Sequence, residues 1–134
     1  MYKSSASLEI FRWGFSHLPG AVFHYATELE LEMEDIGLLA LIFYLYEKIN
    51  PLSKVGLKVS QIIKSYPGYS PVKLSRRLAR LHKLEIVAIQ DEQKRLPDRV
   101  IFIEPLVEKL SALVLRDHAL LSVEAEKEKQ QQNE

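Results

Sequence analysis

Eight cations carry the chemistry most visible in this 134-residue sequence. Five of them, Lys73, Arg76, Arg77, Arg80 and Lys83, fall in one run from Ser70 to Leu84. At about 100° per residue they occupy an arc of roughly 120°. Leu74, Leu78 and Leu81 fall within about 60° of one another on the opposite side. Lys94, Arg95 and Arg99 lie in the polar loop Gln90 to Arg99. Such an array can neutralise phosphates, and the helix alone could meet ~3–5 of them. Arginine can read guanine, but Asn and Gln, which suit adenine, are missing from the run. Asp91, Glu92 and Asp98 oppose tight phosphate contact by the loop. The plainer reading of the arc is a solvated face of an amphipathic helix.

Other chemistry is not encoded in a recognisable pattern. The five glycines are scattered, so there is no Gly-rich phosphate loop. His17, His24, His82 and His118 are too dispersed for a metal motif, and His82, beside the basic arc, reads as a solvated helix residue. Ser60, Ser65, Ser70 and Ser75 read as turn or helix-surface residues, with no His-Asp spacing to mark a nucleophile. Glu28, Glu30, Glu32, Glu34 and Asp35 form an acidic cluster that could bind a cation, although an exposed loop and helix start explain it more simply. These patterns predict no enzyme, no metal and no cofactor.

The elements that position the cations follow from caps and periodicity. Ser70 followed by Pro71 is a helix start signal: the serine oxygen can accept an orphan N–H, and proline suits the first helical position. Before it lies a short helix, Val59 to Tyr66, ended by Pro67-Gly68. After it, Ile86 to Ile89 and Val100 to Ile103 are β-branched runs joined by the polar loop. Helix, turn, basic helix and hairpin is the order of a winged helix-turn-helix. Upstream, Pro19 to Leu29 reads as a first helix. Met33 to Ile49 reads as a second, with Glu34 and Asp35 in its first turn and Lys48 in its last, as the helix dipole favours. That second helix is apolar nearly all round from Ile36 to Leu45 and should be the central buried one. Leu52 to Lys58 is a loop, with a short strand at Val55 to Val59 able to join the hairpin. Glu104-Pro105 opens a last helix with an apolar stripe including Val107, Leu110, Val114 and Leu121. The expected fold is mainly α with a small β-hairpin: a winged helix-turn-helix with an N-terminal arm and an extra C-terminal helix. The expected divisions are an arm at 1–18, the winged-helix domain at 19–121 and a polar tail or linker at 122–134. That tail suggests the front part of a longer protein.

Composition sets outer bounds. A 47% hydrophobic chain can fill one core. No 18-residue apolar run exists, so no membrane span is expected, and no signal-peptide stretch opens the chain. There is no cysteine, hence no disulfide framework and no thiolate zinc site, which fits a cytoplasmic protein. Eighteen basic and eighteen acidic residues give a formal net charge of zero, so attraction to DNA must come from local charge segregation.

From about Leu18 to Leu121 the sequence resembles the N-terminal domain of DnaD-type replication proteins. The cues are Leu18-Pro19, His24-Tyr25, Leu29-Glu30-Leu31 leading into the apolar helix, and Gln61 in the short helix. They continue with Arg76-Arg77-Leu78 and with Ile103-Glu104-Pro105-Leu106 and Lys109-Leu110 after the wing. The resemblance implies a role in primosome assembly at initiation and restart of DNA replication. It also implies an N-terminal winged helix that chiefly self-associates, and a main DNA-binding activity in a separate C-terminal domain absent from these residues. The expected partners are the chain itself, other replication-initiation proteins and, weakly, DNA.

Two functions compete. One is a self-associating scaffold module with weak, non-specific DNA binding at most. The other is a DNA-binding transcriptional regulator using the eight cations. Self-association is expected because two apolar elements lie outside a minimal winged helix: the arm with Phe11, Trp13 and Phe15, and the last helix with Val107, Leu110, Val114 and Leu121. An extended arm would put its three rings on one face. Either element could instead fold back on its own core. If one pairs across a two-fold axis, a dimer or a dimer of dimers results.

Overall fold

Helix α5 (Pro71–Lys83) supplies Leu74, Leu78 and Leu81 to the core. In the computed structural model, the backbone is described for residues 5–49 and 56–132 and the side chains for 8–46 and 56–118. Ser70 caps α5, its Oγ accepting from the Lys73 N–H at 3.5 Å, and Pro71 opens the first turn. Leu74, Leu78 and Leu81 are fully buried, as their spacing predicts. They share one core with Leu39 and Ile42 of α3 (Met33–Ile49) and Ile62 of α4 (Val59–Ser65), and Phe43 is partly buried against it. Burying each such aliphatic side chain contributes about 1.5–3 kcal/mol.

The end of α5 explains where the sheet begins. Glu85 sits in the left-handed region at φ 59°. Its N–H donates to His82 O at 3.0 Å, and the Ile86 N–H donates to Leu81 O at 2.9 Å. This is the Schellman closure, with buried Ile86 packed over buried Leu81. The Val87 N–H also returns to Leu81 O, at 3.4 Å. Ile86 and Val87 therefore spend their donors on the helix end, and β2 starts later than the β-branched run predicts, at Ala88–Gln90.

Strand β3 (Val100–Phe102) is central, flanked antiparallel by β2 and by β1 (Leu57–Lys58) in the order β1-β3-β2. Ile101 faces Leu57 on one side and Ile89 on the other. The sequence expectation of a strand near residues 55–59 joining the hairpin is met by β1. Gly56 is required there: a Cβ on it would collide with Val100 Cγ1 and lie 2.7 Å from Phe102 Cζ. The Tyr46 hydroxyl donates to Ile101 O at 2.6 Å, fastening α3 to the sheet. Burial raises its pKa.

Two upstream expectations need correction. The helix expected over 19–29 makes one turn, α2 (Ala21–His24), and then tightens. The Leu31 N–H donates to Ala26 O at 2.8 Å and the Glu30 N–H to Thr27 O at 3.1 Å, with Glu30 at φ 60°. The arm is not extended throughout. Ser5–Arg12 forms α1, with Arg12 paired to Glu9, and Gly14 at φ 87° turns the chain out of it. The last helix, α6 (Glu104–Gln132), continues through most of the segment expected as a tail. Its Leu106 and Leu110 are buried in the chain's own core.

Candidate functional site

The basic face of α5 is divided by the start of α3. Asp35 is the third residue of α3 and is fully buried. Its Oδ2 accepts from the Glu32 N–H at 2.8 Å, the reciprocal contact of a capping box. The same carboxylate accepts from Arg80 Nη1 through Oδ2 and from Arg77 Nη1 through Oδ1 at 3.1 Å. Arg77 also donates to Glu32 Oε2 at 2.8 Å and to Glu34 Oε2 at 2.5 Å. Arg80 Nη2 donates to the carbonyl of Glu30 at 2.6 Å. Arg77 retains only 17% exposure, and its hydrogen bond to Glu32 raises an already high pKa. The same bond holds the Glu32 carboxyl below its ordinary value.

The eight cations expected to face a polyanion therefore fall into groups. Lys73, Arg76 and Lys83 are exposed and form no ion pair with a described residue. Arg77 and Arg80 are turned onto Glu32, Glu34 and Asp35; Glu28, Glu30, Glu32 and Glu34 are exposed, as a loop and helix start imply, and Asp35 alone of the five is buried. On the wing, Arg95 is exposed, Lys94 Nζ lies 3.4 Å from Asp91 Oδ2, and Arg99 Nε donates to Lys94 O at 3.1 Å. The wing is drawn toward α5 by His82 Nε2, 2.7 Å from Glu92 Oε1. His82 thus has a partner and is only 40% exposed, unlike the solvated residue its position suggests.

The second expected surface is the arm. Phe11, Trp13 and Phe15 are 51%, 71% and 60% exposed, and Leu8 and Ile10 are more than half exposed. The Phe11 and Phe15 rings stack with centroids 5.9 Å apart. The segment after α1 is held on α3: the Tyr44 hydroxyl donates to Trp13 O and Ser16 Oγ donates to Ala40 O, each at 2.6 Å. Ala40 and Tyr44 share a helical stripe with Gly37 and Leu41. Those two residues, with Leu38, Tyr66 and Tyr69, line an open cavity of about 410 Å³. An exposed aromatic arm and a largely apolar hollow are thus adjacent along α3.

No family model matches the chain, and no curated protein sequence does. Among solved structures, it is similar to the crystal structure of the N-terminal domain of DnaD protein from Geobacillus kaustophilus HTA426. The TM-score is 0.62 over 90% of this chain and 97% of that one, at 18% identity. The two share a fold. The mainly helical fold with a small sheet, expected from the order of the elements, agrees with that likeness, as does the resemblance carried by the cues between Leu18 and Leu121.

The last helix divides in the same way as α5. Val107 and Val114 are each 45% exposed, whereas Leu110 packs inward and is withdrawn from any outer face. The side chain of Leu121 lies outside the described residues. Helix α6 is clasped to the start of the domain. Arg116 donates to both carboxylate oxygens of Glu28, each at 3.0 Å, and to Asp117, while the Tyr25 hydroxyl donates to Asp117 Oδ2 at 2.6 Å. The Arg116 bonds lower the pKa of Glu28 and of Asp117, and the bond to Asp117 raises that of Tyr25. Lys109 Nζ donates to Leu84 O at 2.8 Å, satisfying a carbonyl at the end of α5.

Sequence reasoning missed three parts of this arrangement: the buried role of Asp35, the hollow beside Tyr66 and Tyr69, and the Tyr25-Asp117-Arg116-Glu28 clasp. A signal existed for the first. Glu32 followed three residues later by Asp35 has the spacing of an N-cap and its reciprocal partner. Arg77 and Arg80, three apart, were available to face it. The other two depend on contacts between distant segments.

Proposed function

We propose that this chain is a self-associating winged-helix scaffold module of a DnaD-like protein acting in primosome assembly, at initiation and restart of DNA replication. Its work is to bring copies of itself and other replication-initiation proteins together in the cytoplasm, with weak and non-specific DNA contact at most. It performs no catalysis. The replication setting rests on the likeness in fold and on the sequence cues. The observation that carries the scaffold reading is the arm: five large apolar side chains between Leu8 and Phe15 stand more than half exposed, and the segment after α1 is held to α3 by hydrogen bonds at Trp13 O and Ser16 Oγ. An apolar cluster of that kind marks an association surface. Aromatic side chains bury the most area and serve as hot spots when covered.

Sedimentation equilibrium tests this on the native chain and on a Phe11→Ala, Trp13→Ala, Phe15→Ala variant. The native chain is expected as a dimer or a dimer of dimers at tens of micromolar, on the order of a weak contact's dissociation constant. The variant is expected to shift toward monomer. A native chain that stays monomeric there defeats the scaffold reading. The regulator reading draws on the exposed Lys73, Arg76 and Lys83. Tight binding to one DNA sequence at physiological salt would favour it instead.

A further inference from the structure

The face of α5 that meets α3 holds two kinds of carboxylate. Asp35 is fully buried and accepts from Arg77, Arg80 and the Glu32 N–H, so it is part of the core of the joint. Glu32 and Glu34 are 62% and 72% exposed, and both hold Arg77 from the solvent side. Exposed ion pairs contribute little and are screened by salt, whereas a buried one is not easily exchanged. These two acids stand where an incoming anion would meet the guanidinium. Around them is an open cavity of about 400 Å³ bounded by Glu32, Glu34, Lys73, Arg76, Arg77 and Arg80. Four cations and two carboxylates line it, and with the buried Asp35 behind them the local charge is about +1; without the two exposed acids it would be about +3.

We infer that the basic face of α5 is a charge-masked binding site for the phosphate backbone of duplex DNA, with Glu32 and Glu34 as the mask. Arg77 Nη2, bonded to Glu34, is the donor that a phosphate oxygen takes over. Lys73 and Arg76 are already exposed beside it and contact neighbouring phosphates. Asp35 stays in place and keeps Arg77 and Arg80 aimed at the opening. This rests on the DNA contact allowed in the proposed function and adds its control: the face binds weakly because its own acids compete for it.

The test is fluorescence anisotropy with a labelled random-sequence duplex at about 50 and 150 mM salt. Three forms of the 134-residue chain are compared: native, Glu32→Gln with Glu34→Gln, and Glu104→Gln with Glu108→Gln. The last pair makes the same change in net charge on α6, away from any α5 cation pair. The unmasked variant is expected to bind at least about tenfold more tightly than native at the lower salt. Its salt slope should be steeper by about one to two. The α6 pair should gain clearly less. Equal gains in the two pairs are a net-charge effect and overturn the mask, as does no gain in either. Should melting curves show that the Glu32 substitution disturbs the start of α3, Glu34→Gln against Glu108→Gln makes the same comparison. Sedimentation of the same samples reports on self-association independently, so failure of the scaffold reading and failure of the mask give different results.

Discussion

Asp35 is the buried polar residue at the joint between α3 and α5. It is fully buried and takes hydrogen bonds from three residues, two of them arginines. Removing one partner from a buried ionic cluster leaves uncompensated charge behind, which costs more than the cluster itself contributes. Asp35→Ala is therefore expected to lose about 3 kcal/mol, the low end of the usual range, because Arg80 is a third exposed and can turn to water. Asp35→Asn keeps an acceptor for the Glu32 N–H and should lose less. Urea unfolding of the three chains decides it; a loss below about 1 kcal/mol in the alanine variant would show that the arginines find other partners. The identities of these residues were legible in the sequence, and so was their charge. What could not be read was the direction of Arg77 and Arg80, because a helical wheel places side chains around an axis without saying which neighbour approaches from which side.

Elements with strong local signals agree with their sequence reading, and those closed by unusual residues depart from it. Ser70-Pro71 and the Leu74, Leu78, Leu81 stripe define α5, and Glu34 and Asp35 mark the start of α3. In contrast, α2 and the end of α5 close through Glu30 and Glu85 in the left-handed region, a place where glycine is the expected marker. Without a glycine to announce either stop, the apolar spacing predicts helix as far as Leu29, five residues past the end of α2 at His24, and starts β2 too soon. The α1 helix was hidden by spacing: Phe11, Trp13 and Phe15 at alternate positions look like a strand, and only Gly14 between the last two hints at a turn. The wing offers an element-scale test. Gly56 lies against Val100 and Phe102 with no room for a methyl group. Gly56→Ala must push β1 off β3 or move those side chains, and is expected to cost about 1–3 kcal/mol, the usual range for overpacking. Chemical denaturation measures it; a neutral result would mean that β1 is not held in this register.

At the scale of the whole molecule, the clasp between α6 and the start of the domain ties stability to pH. Hydrogen bonds from Arg116 hold Glu28 and Asp117 below their ordinary pKa values, with Tyr25 adding to the effect on Asp117. A carboxyl whose folded pKa is depressed stabilises the fold above its unfolded pKa and loses that contribution as pH falls through the folded value. The ordinary values are 4.5 for Glu28 and 3.8 for Asp117. Melting temperature should therefore be flat from pH 7 to about 5 and fall below about pH 4.5. Arg116→Gln is expected to melt lower than native at neutral pH and to converge with it near about pH 3. Parallel curves would show that the clasp adds nothing. The clasp has a further consequence for how the chain is made. Tyr25 and Asp117 are 92 residues apart in sequence, farther than the partners across the sheet. On a ribosome, α2 and α3 leave the tunnel long before their counterpart on α6 exists. Until Asp117 emerges, Tyr25 has no acceptor there, and the buried faces of Leu106 and Leu110 are missing from the core. During most of its synthesis the nascent chain must then expose the apolar surface that Leu106 and Leu110 later cover. A second copy translated from the same message would meet that surface before the clasp closes.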